Sequence, residues 1–219
     1  MSTNRAFIIG NGPSLNETPM DRLVGEVTFA VNRIHLLYPR TKWRPTHWVL
    51  ADRSNSPRYI QDIVNHMEMG EDCWVRKDFY ADMVKETGRD FADVHLYDNC
   101  THIDAERNPS TGWHTPEFCC YGGSVLVAIQ LAVRKGYNEL YVLGCDLGYK
   151  GNEVNHFDSN YGDVDWRGVR AAMLANKTLQ LAHAVAYEEC NTLGVIIRNA
   201  GIKGELLAYP RVKLETVLG

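Results

Sequence analysis

The segment Gly10-Asn11-Gly12-Pro13-Ser14 follows directly on the apolar run Ala6-Phe7-Ile8-Ile9. A buried strand entering such a turn must bend sharply, and Gly10 and Gly12 permit backbone angles and close approaches that a β-carbon forbids. Pro13 suits a first helical turn, where a missing N–H costs nothing. Ser14 then sets a hydroxyl beside free N–H groups, an anion site of the kind that takes phosphate at a helix N-terminus. The turn is not the dinucleotide fingerprint, whose third glycine would fall at Leu15, nor a Walker loop, since no Gly-Lys-Ser/Thr follows. A tight strand–helix turn without a ligand is the competing reading.

Polar residues close three other apolar runs: Asn32 after Phe29-Ala30-Val31, Asp52 after Val49-Leu50-Ala51, and Asp146 after Leu143-Gly144-Cys145. Ligands of open α/β sheets bind outside the carboxyl ends of the strands, so these positions fit one site assembled from several loops. Each alone fits capping or turn formation equally well. The segment from Tyr149 to Tyr161 carries Asn155, His156, Asp158 and Asn160. A histidine there is a candidate general base near neutral pH, or a plain surface residue. Asp163-Val164-Asp165 spells a D-x-D, but it ends no apolar strand; a solvated turn and a helix cap explain it. His183 and Tyr187, four apart in a helical stretch, read as core or helix-surface residues, and Arg167 and Arg170 as a solvated face. No His/Cys/Asp/Glu spacing matches a dedicated transition-metal site.

The elements that would position these residues alternate. Short apolar runs at 5–9, 27–31 and 47–51 suit strands buried on both faces of a parallel sheet. A helix is expected over 57–69, with short strands at 73–75 and 94–97. The polar segment 99–117, with His102 and His114, reads as a long loop or lid. Val125, Ile129, Ala132 and Val133 make an apolar stripe on a helix over 123–134 that Gly136 stops. A strand at 140–143, a long helix capped by Asp165 and running to about 191, a strand at 193–197 and a short helix at 212–218 complete the chain. The pattern predicts an α/β fold, a Rossmann-like, doubly wound, mostly parallel sheet with a polar lid-like insertion, in a single domain over 1–219.

The 219 residues suffice to bury roughly 70% of the unfolded surface without a disulfide or metal staple. The net charge of −4 argues against a nucleic-acid partner. No run of about 18 apolar residues is present to span a membrane. The first five residues lead straight into a strand, with no secretory leader. Six cysteines, at 73, 100, 119, 120, 145 and 190, are therefore expected to be free thiols in a reducing cytosol.

With these residues in view, the chain resembles two related groups. One is the domain family of 6-hydroxymethylpterin diphosphokinase (MptE-like) proteins, also found in flagellin-glycosylation proteins. The matching pattern is Gly10 to Leu15, Ala30-Val31-Asn32, Gly122-Gly123-Ser124, Gly144-Cys145-Asp146-Leu147 and Asn199-Ala200, with Tyr209-Pro210-Arg211 near the end. The other group is the bacterial sialyltransferases of glycosyltransferase family 42, similar in the opening turn and in Gly136-Tyr137-Asn138-Glu139-Leu140-Tyr141. The middle, about 55 to 115, matches neither.

The sialyltransferase resemblance implies a CMP-activated acidic sugar as donor and a glycan as acceptor. It places Asn11 and Ser14 on the phosphate side with Asn32 nearby, Asp52 at the nucleoside, Ser124 at the donor site, Tyr149 and Tyr161 on the donor phosphate, and His156 as base, with no metal. The pterin-kinase resemblance implies diphosphate transfer from ATP, with Mg²⁺ held by carboxylates such as Asp52 and Asp146. A nucleotide-binding module without catalysis is the third expectation. The sequence leaves open assembly into a homo-oligomer.

Overall fold

A computed structural model of the protein describes residues 4–51, 58–100, 113, 116–119, 123–148, 155–162 and 168–219, the side chains of 58, 100 and 168–172 excepted. The strands are β1 (Arg5–Ile9), β2 (Thr28–Val31), β3 (His47–Leu50), β4 (Asp72–Arg76), β5 (His95–Tyr97), β6 (Asn99–Cys100), β7 (Phe118–Cys119), β8 (Glu139–Leu143) and β9 (Ile196–Asn199). The α-helices are α1 (Arg58–Glu68), α2 (Lys77–Thr87), α3 (Ser124–Arg134), α4 (Gly168–Thr192) and α5 (Leu214–Leu218).

Successive residues of a strand face opposite sides, and β1 uses both. Ala6 and Ile8 enter one core and Phe7 and Ile9 the other, all four fully buried. Seven strands form one sheet in the order β5-β4-β3-β2-β1-β8-β9, every neighbouring pair parallel. From β1 to β5 the chain steps in one direction, with α1 and α2 packed on the Phe7/Ile9 face. It then returns across the sheet to β8 and β9, with α3 and α4 on the Ala6/Ile8 face. Right-handed crossovers require this change of face when the direction of winding reverses. The reversal falls between β1 and β8, the topological switch point of a Rossmann-like, doubly wound sheet. β6 and β7 form a separate parallel pair.

α3 is buried along nine of its eleven residues, Ser124 to Ala132. It lies between the sheet and α4, which is why it is apolar on all sides until Arg134. The one long polar side chain in this buried stretch, Gln130, holds the Cys119 backbone, accepting from its N–H at 3.0 Å and donating to its carbonyl at 2.7 Å.

Four local expectations are corrected. Pro13 opens a single 3-10 turn, Pro13–Asn16, rather than an α-helix. Residues 77–87, given no element from the sequence, form α2. The last strand is Ile196–Asn199 instead of 193–197, because Gly194 takes φ +71° as α4 ends. Cys73, Cys145 and Cys190 are free thiols as expected, whereas Cys119 is disulfide-bonded. Residues 101–112 of the expected lid and the Asp165 cap lie outside the described residues. Among the described residues, no helix is long and apolar enough to cross a membrane.

Candidate functional site

The turn after β1 and the turn after β8 meet at the switch point. Gly10 N–H donates to the Leu143 carbonyl at 2.8 Å and Gly12 N–H to the Gly144 carbonyl at 2.7 Å. The Asp146 carboxylate takes both the N–H of Ser14 (2.7 Å) and its hydroxyl (2.5 Å). A β-carbon on Gly12 would lie 2.4 Å from Asp146 Oδ2, and one on Gly10 2.4 Å from the Gly144 carbonyl oxygen. The glycines thus permit a close approach, as expected, but the approach is of one protein turn to another. The donors anticipated for phosphate are engaged by Asp146, and a four-residue 3-10 turn carries little of a helix dipole.

Beside these turns opens a cavity of about 400 Å³. Asn11, Gly12, Ser14 and Asp146 line it from the two turns, Asn32 from the end of β2, Ser124 from the start of α3, and His156 and Tyr161 from the segment after β8. Gly10 sits behind this wall, packed on Gly144. Asp52, Tyr149 and the Asp163-Val164-Asp165 segment, like Arg167, lie outside the described residues, and Arg170 is described without its side chain.

Asn32 holds the β2 end against α3. Its carboxamide bonds the Ser124 hydroxyl through Nδ2 at 3.0 Å and Oδ1 at 3.1 Å, and its carbonyl accepts from Trp48 Nε1 at 2.6 Å. It does so at φ +50°, a left-handed conformation that asparagine tolerates better than most residues. Gly123 and Ser124 bring the start of α3 to the cavity wall, and no side chain caps it. The first-turn N–H groups of an α-helix have no intrahelical acceptors, so this end is an electropositive pole.

The His156 ring stacks on Tyr161, centroids 3.7 Å apart and planes within 25°. Burial pulls His156 down to about 4; a smaller effect, a hydrogen bond with the Asn11 backbone, runs the other way. The ring is therefore neutral at pH 7 and has a lone pair to offer. Its segment is fastened at several points. Phe157 N–H donates to the Asn11 carbonyl (3.0 Å), Asn16 to the Phe157 carbonyl (2.9 Å), and Arg33 to the carbonyls of Asn160 (2.8 Å) and Tyr161 (2.5 Å).

The fourth side of the cavity was not anticipated. Residues 200–211 bring Lys203, Gly204 and Glu205 to it. Asn199 shapes this loop by donating to the Leu206 carbonyl (3.1 Å) and accepting from Gly201 N–H (2.9 Å), while Arg211 donates to the carbonyls of Gly201 and Gly204. The motif residues Asn199 and Arg211 were the available signal, and their work is to build the loop. Lys203 pairs with Glu17. The described lining carries three acidic side chains, Glu17, Asp146 and Glu205, against this one lysine. At the cavity wall His183 contacts Cys145 Sγ (3.5 Å) through Nε2 and the Tyr209 hydroxyl (2.7 Å) through Nδ1. Burial lowers His183 to about 3 and raises Cys145 to about 12, so the pair is neutral. Among the described residues, no three His, Cys, Asp or Glu side chains converge as metal ligands.

Compared with known proteins, the chain matches no family model, no curated protein and no solved structure.

Proposed function

We propose that the protein is a transferase whose switch-point cavity holds a nucleotide-activated substrate, and that this substrate is a CMP-activated acidic sugar. The observation that carries the reading is the meeting, in one cavity, of the uncapped α3 N-terminus and the neutral His156. The choice of CMP rests on the sequence resemblance to the sialyltransferases. The donor phosphate sits at the α3 end and not on the glycine turn, where Asp146 would repel it; Lys203, paired with Glu17, is the one lysine of the described lining. His156 takes the proton of an acceptor hydroxyl as that oxygen bonds to the sugar's anomeric carbon. The carbon–phosphate oxygen bond breaks, and CMP leaves with the electron pair. With His156 down at about 4, this transfer runs concertedly with C–O bond formation, since little free imidazolium can form beforehand.

A second reading, diphosphate transfer from ATP to a pterin alcohol, draws on the acidic lining, which suits a substrate carrying Mg²⁺. Thermal unfolding with CMP, CDP, ATP, GDP and UDP, each with and without Mg²⁺, separates the two. A metal-independent rise with CMP supports the glycosyltransferase and leads to an assay of CMP-sugar hydrolysis. A rise only with ATP and Mg²⁺ replaces it by the kinase. Binding of CMP with CMP-sugar turnover unchanged in His156→Ala removes the histidine from catalysis.

A further inference from the structure

Asn11 is 7% exposed, and its side chain is fixed by what surrounds it. Nδ2 donates to the Val31 carbonyl at 2.8 Å and lies 3.0 Å from the Tyr161 hydroxyl. A carbonyl can only accept, so the amide cannot be turned over, and the other atom is necessarily the oxygen. That oxygen, Oδ1, is buried with no hydrogen-bond partner, on a residue that lines the cavity. Leaving such an acceptor unpaired is unfavourable, and orphaned buried polar atoms in folded proteins call for a ligand or a water.

Building on the nucleotide-binding reading above, we infer that the bound ligand donates a sugar hydroxyl hydrogen to Asn11 Oδ1, so that the cavity distinguishes a ribonucleotide from its deoxy analogues. A phosphate dianion has no hydrogen to give and cannot satisfy this atom. Next to Asn11, the space over Gly12 is closed by the Asp146 carboxylate, which accepts hydrogen bonds and repels anions. The glycine-turn end of the cavity therefore takes a donor-bearing group. The opposite character is close by: Asn32, the residue after Val31, bonds Ser124, the first residue of α3, whose uncapped N-terminus takes the anion. In a nucleotide the ribose hydroxyls lie near the 5′-phosphate, and the base amine lies at the far end. With the phosphate at α3, a ribose hydroxyl is the donor within reach of Asn11.

The test is calorimetric titration of the wild-type protein, without metal, with CMP, 2′-deoxy-CMP and 3′-deoxy-CMP. At least one deoxy analogue is expected to bind tenfold or more weakly than CMP. Asn11→Ala, checked for folding by circular dichroism, is expected to bring that ratio close to one. Equal binding of all three nucleotides overturns the inference and leaves the CMP reading standing. A ratio unchanged in folded Asn11→Ala removes Asn11 as its source. Absence of CMP binding overturns the nucleotide reading and this inference with it. The ligand series needs no substitution, so it decides the matter even where Asn11→Ala fails to fold.

Discussion

Arg33 joins the Tyr161 carbonyl, 2.5 Å from Nη1, to the Asp62 carboxylate, 2.8 Å from Nε. One side chain thereby fastens the segment carrying His156 to α1. Both partners are withdrawn from water, their side chains 12% and 4% exposed. The same carboxylate also faces His35, 3.4 Å away. Arg33→Leu is expected to lower stability by about 3–5 kcal/mol, the usual cost of breaking a buried pair from one side. Urea unfolding measures it, and Arg33→Leu combined with Asp62→Leu should recover much of the loss. Losses that simply add would show that the ion pair is not the cause.

Asp146 holds the glycine turn through two charge-assisted bonds to Ser14. Asp146→Asn keeps the shape but removes the charge: the amide oxygen still accepts from the Ser14 N–H, while the NH2 donates to the Ser14 hydroxyl, which turns from donor to acceptor, so two charge-assisted bonds become neutral ones. A loss of about 1.5–3 kcal/mol is expected. The same substitution removes the anion beside Gly12, so inorganic phosphate should bind more tightly than to the wild type. Unchanged phosphate affinity would mean that Asp146 does not set the polarity of this end.

Three histidines, His183 fully buried and His35 and His156 partly so, give the protein an acid limb of known sign. His35 is lowered to about 4 by burial, then by His66 and Arg33. His156 is lowered to about 4 and His183 to about 3, chiefly by burial. Unfolding releases each to an ordinary value near 6.5, so between pH 6.5 and the folded value the unfolded chain binds more protons. Stability is therefore full above pH 6.5 and falls as the pH drops toward 4, by up to about 1.4 kcal/mol per pH unit for each histidine kept neutral. Denaturant midpoints at pH 8, 6 and 5 check this. A midpoint constant from pH 6.5 to 4.5 would contradict the burial of these rings.

Gly204 carries the 200–211 loop onto Asp146 at φ +99°. A β-carbon there would fall 2.5 Å from both the Cα and the carbonyl oxygen of Asp146, in a backbone region that L-residues avoid. Gly204→Ala is expected to cost roughly 3 kcal/mol or more and, on the function proposed above, to weaken CMP binding by displacing the loop that carries Lys203. A melting temperature within a degree of wild type would show that the loop moves aside freely.

The sheet was legible in the sequence because β1, β2, β3 and β8 are short apolar runs closed by glycine or a polar residue, and burial on both faces demands that pattern. α3 was legible for its apolar stripe. α2 was not: its N-cap position is Arg76, the last residue of β4, so no Ser, Thr, Asp or Asn stands at the cap, and no turn residue separates strand from helix. Asn32 and His156 could be named as candidates from a strand end and from loop chemistry, and Asn11 and Ser124 from the resemblance to the sialyltransferases. That Ser14 belongs to Asp146 could not, since the two are 132 residues apart and no local period links them. Lys203 was hidden for a similar reason, its place set by Asn199 and Arg211 rather than by its neighbours in sequence.

The same 132-residue separation has a consequence for how the chain acquires its crevice. β1 lies inside the sheet, yet one of its two neighbours, β8, is made only after β2 to β7. Closing so long a loop must precede the contacts that reward it, and parallel sheets of this connectivity fold slowly. During synthesis, β1 exposes a bare edge to other chains until β8 arrives. The switch-point crevice is thus a late product of folding, absent from any amino-terminal half however well ordered, and the interval before β8 docks is when the chain is most open to aggregation.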